Sequence, residues 1–160
     1  MMINLEKSKK AIMPNFTALW ERYHDVLSAG HRAELRRVRC PDELRDVPAL
    51  YRLLGGRRPN ERWLRVVYML PYLKHSLNGK SLGAQIAEAN VSEARLFQVV
   101  RSEEPNDLVQ LRRILQQVEP MVNIDKLGPD LFFWDNKRNK QKLVEDYFVS
   151  KFRDKEKKND

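Results

Sequence analysis

Arginine and lysine recur along this sequence at spacings that could grip a chain of phosphates. Arg32, Arg36 and Arg39 stand at i, i+4 and i+7, which on a helix is one face spanning roughly 10 Å. Arg58, Arg62 and Arg65 repeat the pattern, and Arg95, Gln98 and Arg101 or Ser102 form a third row. Arg112 and Arg113 fall opposite a row of leucines, and Lys137, Arg138, Lys140 and Lys142 crowd one short stretch. The planar fork of arginine suits paired contacts to phosphate oxygens. The formal charge is +8 and the isoelectric point near 9.7, so a polyanion is the expected partner, with an acidic protein or a membrane surface as rivals. Several of these arginines are expected to pair with Glu34, Asp42, Asp46 or Glu61 instead. Lys137 begins a helix, where the dipole favours acids, and that local penalty hints at a use. Phe132, Phe133 and Trp134 beside it fit a core, and could alternatively stack on bases.

Catalytic patterns are missing. No glycine-rich phosphate loop precedes a lysine. His24, His31 and His75 are scattered and read as surface or structural groups. Cys40 has no partner cysteine, so neither a disulfide nor a cysteine-built zinc site is expected. The acidic pairs Glu103-Glu104 and Glu145-Asp146 read as solvated charge rather than general acid and base. No enzyme activity, cofactor or metal is expected.

The elements that must carry the arginines are helical. Of 160 residues 42% are apolar and only six are glycine, which suits a globular, all-α chain. Phe16, Leu19, Trp20, Tyr23, Val26 and Leu27 predict a first helix ended by Gly30. HRAELRRVR predicts a second, with Leu35 and Val38 inward. Pro41 and Pro48 break the next stretch into a turn, a helical turn and a helix from Pro48 to Leu54, closed by Gly55 and Gly56. The segment from Pro59 to Leu73 is apolar on most sides, as a buried central helix is, with Pro59 in its first turn. Lys74 to Lys80 is polar and reads as a linker. Leu108, Leu111, Leu115 and Val118 share a later helix face. DLFFWD reads as a short aromatic element, and a final helix from about Asn136 turns Leu143, Val144, Tyr147 and Phe148 inward. The charged tail is expected to fray. The result is two small helical bundles joined by a short connection, residues 1–77 and 78–160. The first residues lack a signal peptide's apolar run, and no segment reaches the length of a membrane span. A soluble, cytoplasmic protein is expected.

One stretch, Ser81 to Ser102, has the outline of a helix-turn-helix. A base-reading motif needs a polar N-terminal end on its second helix and a fixed spacing across the turn. Ala87 and Val91 are one residue too close, and Asn90 stands where glycine would ease the turn. A transcription regulator is therefore the second functional reading, behind backbone binding by a helical bundle.

Three stretches carry a more specific signal. RRVRCPDELRDVPALYRLL (Arg36 to Leu54), ARLFQVVRSEEPNDLVQLRRIL (Ala94 to Leu115) and KRNKQKLVEDYFV (Lys137 to Val149) resemble the CasB family, and SLGAQIAEA is similar to that family's SLG segment. CasB is the small subunit of the Cascade surveillance complex of type I-E CRISPR systems. The resemblance covers most of the chain from about Ala18. It implies two helical bundles without enzymatic activity. It further implies two copies stacked head to tail against the repeated backbone subunits and the large subunit, beside the guide RNA–target DNA hybrid. The implied role is to stabilise the R-loop by holding the displaced single-stranded DNA, which needs charge and shape but no base reading. By position, the family's basic contacts fall on Arg37, Arg58, Arg101, Arg113 and Lys137, with Arg138 beside it. Arg36 and Arg112, from the stripes, complete the candidate set.

Overall fold

The computed structural model describes residues 15–159, with 154 and 157–159 described by backbone alone. The N-terminal segment read for a signal peptide lies outside the described residues. Nine α-helices, two 3₁₀ turns and one two-stranded ribbon lie between Asn15 and Asn159, so the all-α expectation holds.

Helix α1 (Phe16–Asp25) starts at Asn15, whose side chain accepts from Ala18 N, and buries Phe16, Leu19 and Tyr23. It does not run to Gly30, and Val26 is exposed. Ser28 caps a new helix, α2 (Ala29–Arg36), that contains Gly30. Ser28 Oγ accepts from His31 N while Ser28 N donates to His31 Nδ1. This reciprocal cap satisfies two otherwise unpaired donors, and so overrides a glycine as a boundary. A 3₁₀ turn (Pro41–Asp46) and α3 (Pro48–Leu54) follow, split by the prolines as expected. Gly55 closes α3 at φ 62, a left-handed position that glycine takes without a Cβ clash.

Helix α4 (Glu61–Met69) begins at the Asn60 cap, so Pro59 stands just before it rather than in its first turn. Every residue from Trp63 to Leu70 is buried, the arrangement of a central helix. A second 3₁₀ turn (Leu70–Tyr72) leads into strand β1 (Lys74–His75), which pairs in parallel with β2 (Met121–Val122). The stretch read as a linker is thus hydrogen-bonded to the second half of the chain. His75 Nδ1 also accepts from Ile124 N at 3.1 Å.

Helices α5 (Leu82–Glu88) and α6 (Glu93–Val100) meet at Asn90, whose φ of 60 is one asparagine tolerates. Helix α7 (Asn106–Val118) and β2 lead to α8 (Ile124–Phe132), a full helix where only an aromatic element is expected from the sequence. Pro129 inside it and the adjoining Gly128 hide its period. Helix α9 (Lys137–Asn159) runs through the tail expected to fray. It lies along α5, with Gly83 at the crossing: a Cβ there would sit 2.5 Å from Leu143 O. The core is continuous across the halves. Phe132 meets Phe16 and Trp63 edge-on, at ring separations of 5.8 and 5.7 Å. Each such fully buried side chain contributes about 1.5–3 kcal/mol.

Candidate nucleic-acid interface

The structure sorts the basic residues into those that hold the fold and those that face out. Arg112, read as standing opposite the leucines, is only 3% exposed. Its Nη1 donates to Val38 O at 2.7 Å, and its Nη2 donates to Arg36 O at 2.5 Å and Tyr72 Oη at 3.1 Å. The guanidinium also lies over the rings of Tyr68 and Tyr72, at 4.3 and 5.0 Å. This corrects its place among the phosphate contacts, because its donors are turned into the protein. The spacing contained the signal: Arg112 is i+4 from Leu108 and i−3 from Leu115, on the buried stripe. Arg65 is likewise inside, 5% exposed. It pairs with Glu104 at 2.8 Å and Asp135 at 3.0 Å and donates to Phe132 O. The stripe read through Arg58, Arg62 and Arg65 therefore ends at Arg62.

The first stripe is also divided. Arg32 Nη1 donates back to His24 O and Leu27 O, closing the end of α1. Arg36 is exposed but donates to Tyr23 Oη at 3.3 Å. Of the acids expected to neutralise these arginines, Asp42 pairs with Arg45 instead, at 2.8 Å.

The family-derived residues all face out, as do Arg39, Arg52, Lys126 and Arg153. Arg37, Arg58, Arg113, Lys137 and Arg138 are exposed, and no hydrogen bond or ion pair among the described residues engages their side chains. Two regions collect them. Arg112 clasps the carbonyls on either side of Arg37, so α7 is held against the end of α2, and the exposed Arg113 follows directly. In the second region Arg62 lies over the Phe133 ring at 5.1 Å and Arg57 over Trp63 at 5.9 Å. Arg58 is adjacent to Arg57. Lys137 and Arg138 open α9 just beyond Phe133, and Asn139 Nδ2 donates to Phe133 O. Arg62 was marked by its spacing with Arg58, whereas Arg57 is the member of this region that spacing does not single out, since the ring beneath it, Trp63, lies across the cap at Asn60.

A buried acid sets the start of α9. Asp107, 1% exposed, accepts from Trp134 Nε1 at 3.0 Å and from Leu108 N, and pairs with Lys140 at 2.8 Å. Lys140 also donates to Ser102 O, tying α9 to the end of α6 beside Arg101. Lys140 and Lys142, the latter paired with Asp130, are thereby internal partners. Trp134 and Phe132 are buried, so the core reading of that aromatic run applies to them; Phe133 is half-buried. Arg101 is exposed with its guanidinium 4.1 Å over the Phe97 ring.

The histidines have local partners. His31 completes the α2 cap, His75 accepts from Ile124 N, and His24 lies 4.3 Å from the Trp20 ring. Burial, then the nearby Arg32, holds the His24 imidazole below its ordinary range. Among the described residues no cluster of three or more His, Cys, Asp or Glu could hold a metal ion. No described helix is long and apolar enough to cross a membrane.

In the Ser81–Ser102 hairpin, the N-terminal end of α6 presents Glu93, paired with Lys151, and Ala94. Arg95 donates to Gln117. That end has little to offer base edges, which a groove-reading helix contacts from there.

Residues 31–148 match the family model described as CRISPR-associated protein Cse2. A relative, the CRISPR system Cascade subunit CasB of Escherichia coli (strain K12), is 36% identical over 140 residues, spanning 78% of this chain and 87% of the relative. A chain in the crystal structure of E. coli Cascade bound to a PAM-containing double-stranded DNA target superposes with a TM-score of 0.80 at 36% identity, covering 87% of this chain and 97% of that one. A match across most of the helices that carry the exposed arginines, at this identity, is membership: the chain belongs to the CRISPR-associated protein Cse2 family.

Proposed function

We propose that this protein is the small subunit of a Cascade-type CRISPR surveillance complex, and that it holds nucleic-acid backbone without catalysing a reaction. The exposed basic side chains would steady the R-loop and the displaced non-target strand while guide pairing supplies sequence. One observation carries this reading: among the described residues no acid pairs with the exposed Arg37, Arg58, Arg113, Lys137 and Arg138, whereas Arg65, Lys140, Lys142 and Lys151 are paired. Cations left in water beside a neutralised interior are a surface for phosphates. A second copy of the chain, the backbone and large subunits, and the guide RNA–target DNA hybrid are the partners this role requires, in the cytoplasm. The division into two bundles near residue 77 belongs to the same proposal. Binding of labelled single strands of unrelated sequence across a salt series tests it. Replacing Arg37 and Arg113 with alanine is expected to weaken all strands alike and to flatten the salt slope by roughly 0.7 per lost contact. A change in sequence preference would contradict it.

A further inference from the structure

The outer face of α9 carries an aromatic row that no basic-patch reading uses. Phe152 is 54% exposed. Its ring stacks on Phe148 at 6.1 Å with 20° between planes, and Phe148 in turn faces Phe97 of α6 at 6.2 Å. Cations cover both ends. Arg101 lies 4.1 Å over Phe97, and Lys155 lies 5.8 Å over Phe152. Glu145 and Glu156 stand one turn before Phe148 and one turn after Phe152, and the exposed Glu93, one turn before Phe97, is neutralised by Lys151. Phe152 also lies beyond residue 148, where the family match ends.

An exposed phenyl costs solubility and gives the core nothing, while Leu143 and Tyr147 of the same helix are buried. Rings flanked by phosphate-binding cations are how sequence-indifferent single-strand binders hold bases. We propose that Phe152, backed by Phe148 and Phe97, is a base-stacking platform for single-stranded nucleic acid whose backbone is held at Arg101. This deepens the backbone-binding proposal and rests on it: a strand gripped at Arg101 enters the row directly.

The test uses the full chain, fluorescence anisotropy, an oligothymidylate, and a strand of equal length with abasic central positions. Phe152 is exposed, so its variants should keep the wild-type melting temperature. Phe152→Ala and Phe152→Leu are each expected to weaken oligothymidylate binding at least about fivefold, Phe152→Tyr to retain it, and the abasic strand to respond to none of them. Wild-type binding by Phe152→Leu, or equal losses on both strands, would overturn the platform. So would failure of the wild-type chain to bind either strand at low salt. Arg113→Ala separates the two readings. It should weaken both strands equally, and if it does while Phe152→Ala changes nothing, backbone binding stands and the platform falls. If Phe152→Ala weakens oligothymidylate alone while Arg113→Ala is silent, the platform stands and the backbone contact at Arg113 falls.

Discussion

Arg112 and Arg113 are neighbours in sequence with opposite tasks, and Arg112→Met separates them. Methionine fills much of the same volume but offers no donor. The change leaves the buried carbonyl of Val38 and the partly buried one of Arg36 without the guanidinium that now serves them. Each unsatisfied buried acceptor costs about 1–3 kcal/mol. The cation over Tyr68 and Tyr72 is lost as well, about 1–2 kcal/mol in a desolvated site. Against this, a buried charge with no acid beside it no longer needs desolvating, which returns a few kcal/mol. The net expectation is about 3 kcal/mol of destabilisation, or a melting temperature lower by roughly 6–12 °C for a chain of this size. Equilibrium urea unfolding and thermal melts measure it, with Arg113→Ala as the control, expected within about 0.5 kcal/mol of wild type. If Arg112→Met unfolds like wild type and Arg113→Ala does not, the assignment of the two arginines is wrong.

Two further outcomes follow from packing and titration. Gly83→Ala pushes a methyl against the backbone of α9 at Leu143 O and Tyr147 N, neither of which can turn aside; a loss of about 1–3 kcal/mol is expected in urea unfolding, with strand binding lost only in proportion to unfolding. His24 has a folded pKa below its unfolded value, so the unfolded chain takes up the proton first; stability is full above the ordinary histidine pKa and falls as pH drops through the folded one. Comparing melts at pH 7.5 and pH 5, His24→Gln should lose less stability on acidification than wild type.

Much of the helical plan was legible because proline, glycine and apolar period agreed. Pro41, Pro48 and Gly55 bound their elements as read. Errors arose where tertiary partners decide. Gly30 looked like a stop until Ser28 and His31 capped a new start. Lys74–Lys80 looked like a free linker because the strand that holds it, Met121–Val122, is far along the chain. Helix α8 was hidden by Gly128 and Pro129, which lower local propensity although packing on α1 and α4 stabilises the helix. The exposed cations Arg37, Arg58 and Arg113 were legible through the family resemblance. The inward turn of Arg65 and Arg112 is harder to see, although both lie in apolar periods. A charge marks an exposed residue by default, and only the acceptors of distant segments show otherwise.

The most direct measurement is the salt dependence of single-strand binding by wild type, Arg37→Ala, Arg113→Ala and the double variant, on two strands of unrelated sequence. The account predicts a steep wild-type slope, a loss of roughly 0.7 in slope for each arginine removed, and equal effects on both strands. Unchanged slopes, or tight binding confined to one duplex sequence, would contradict it.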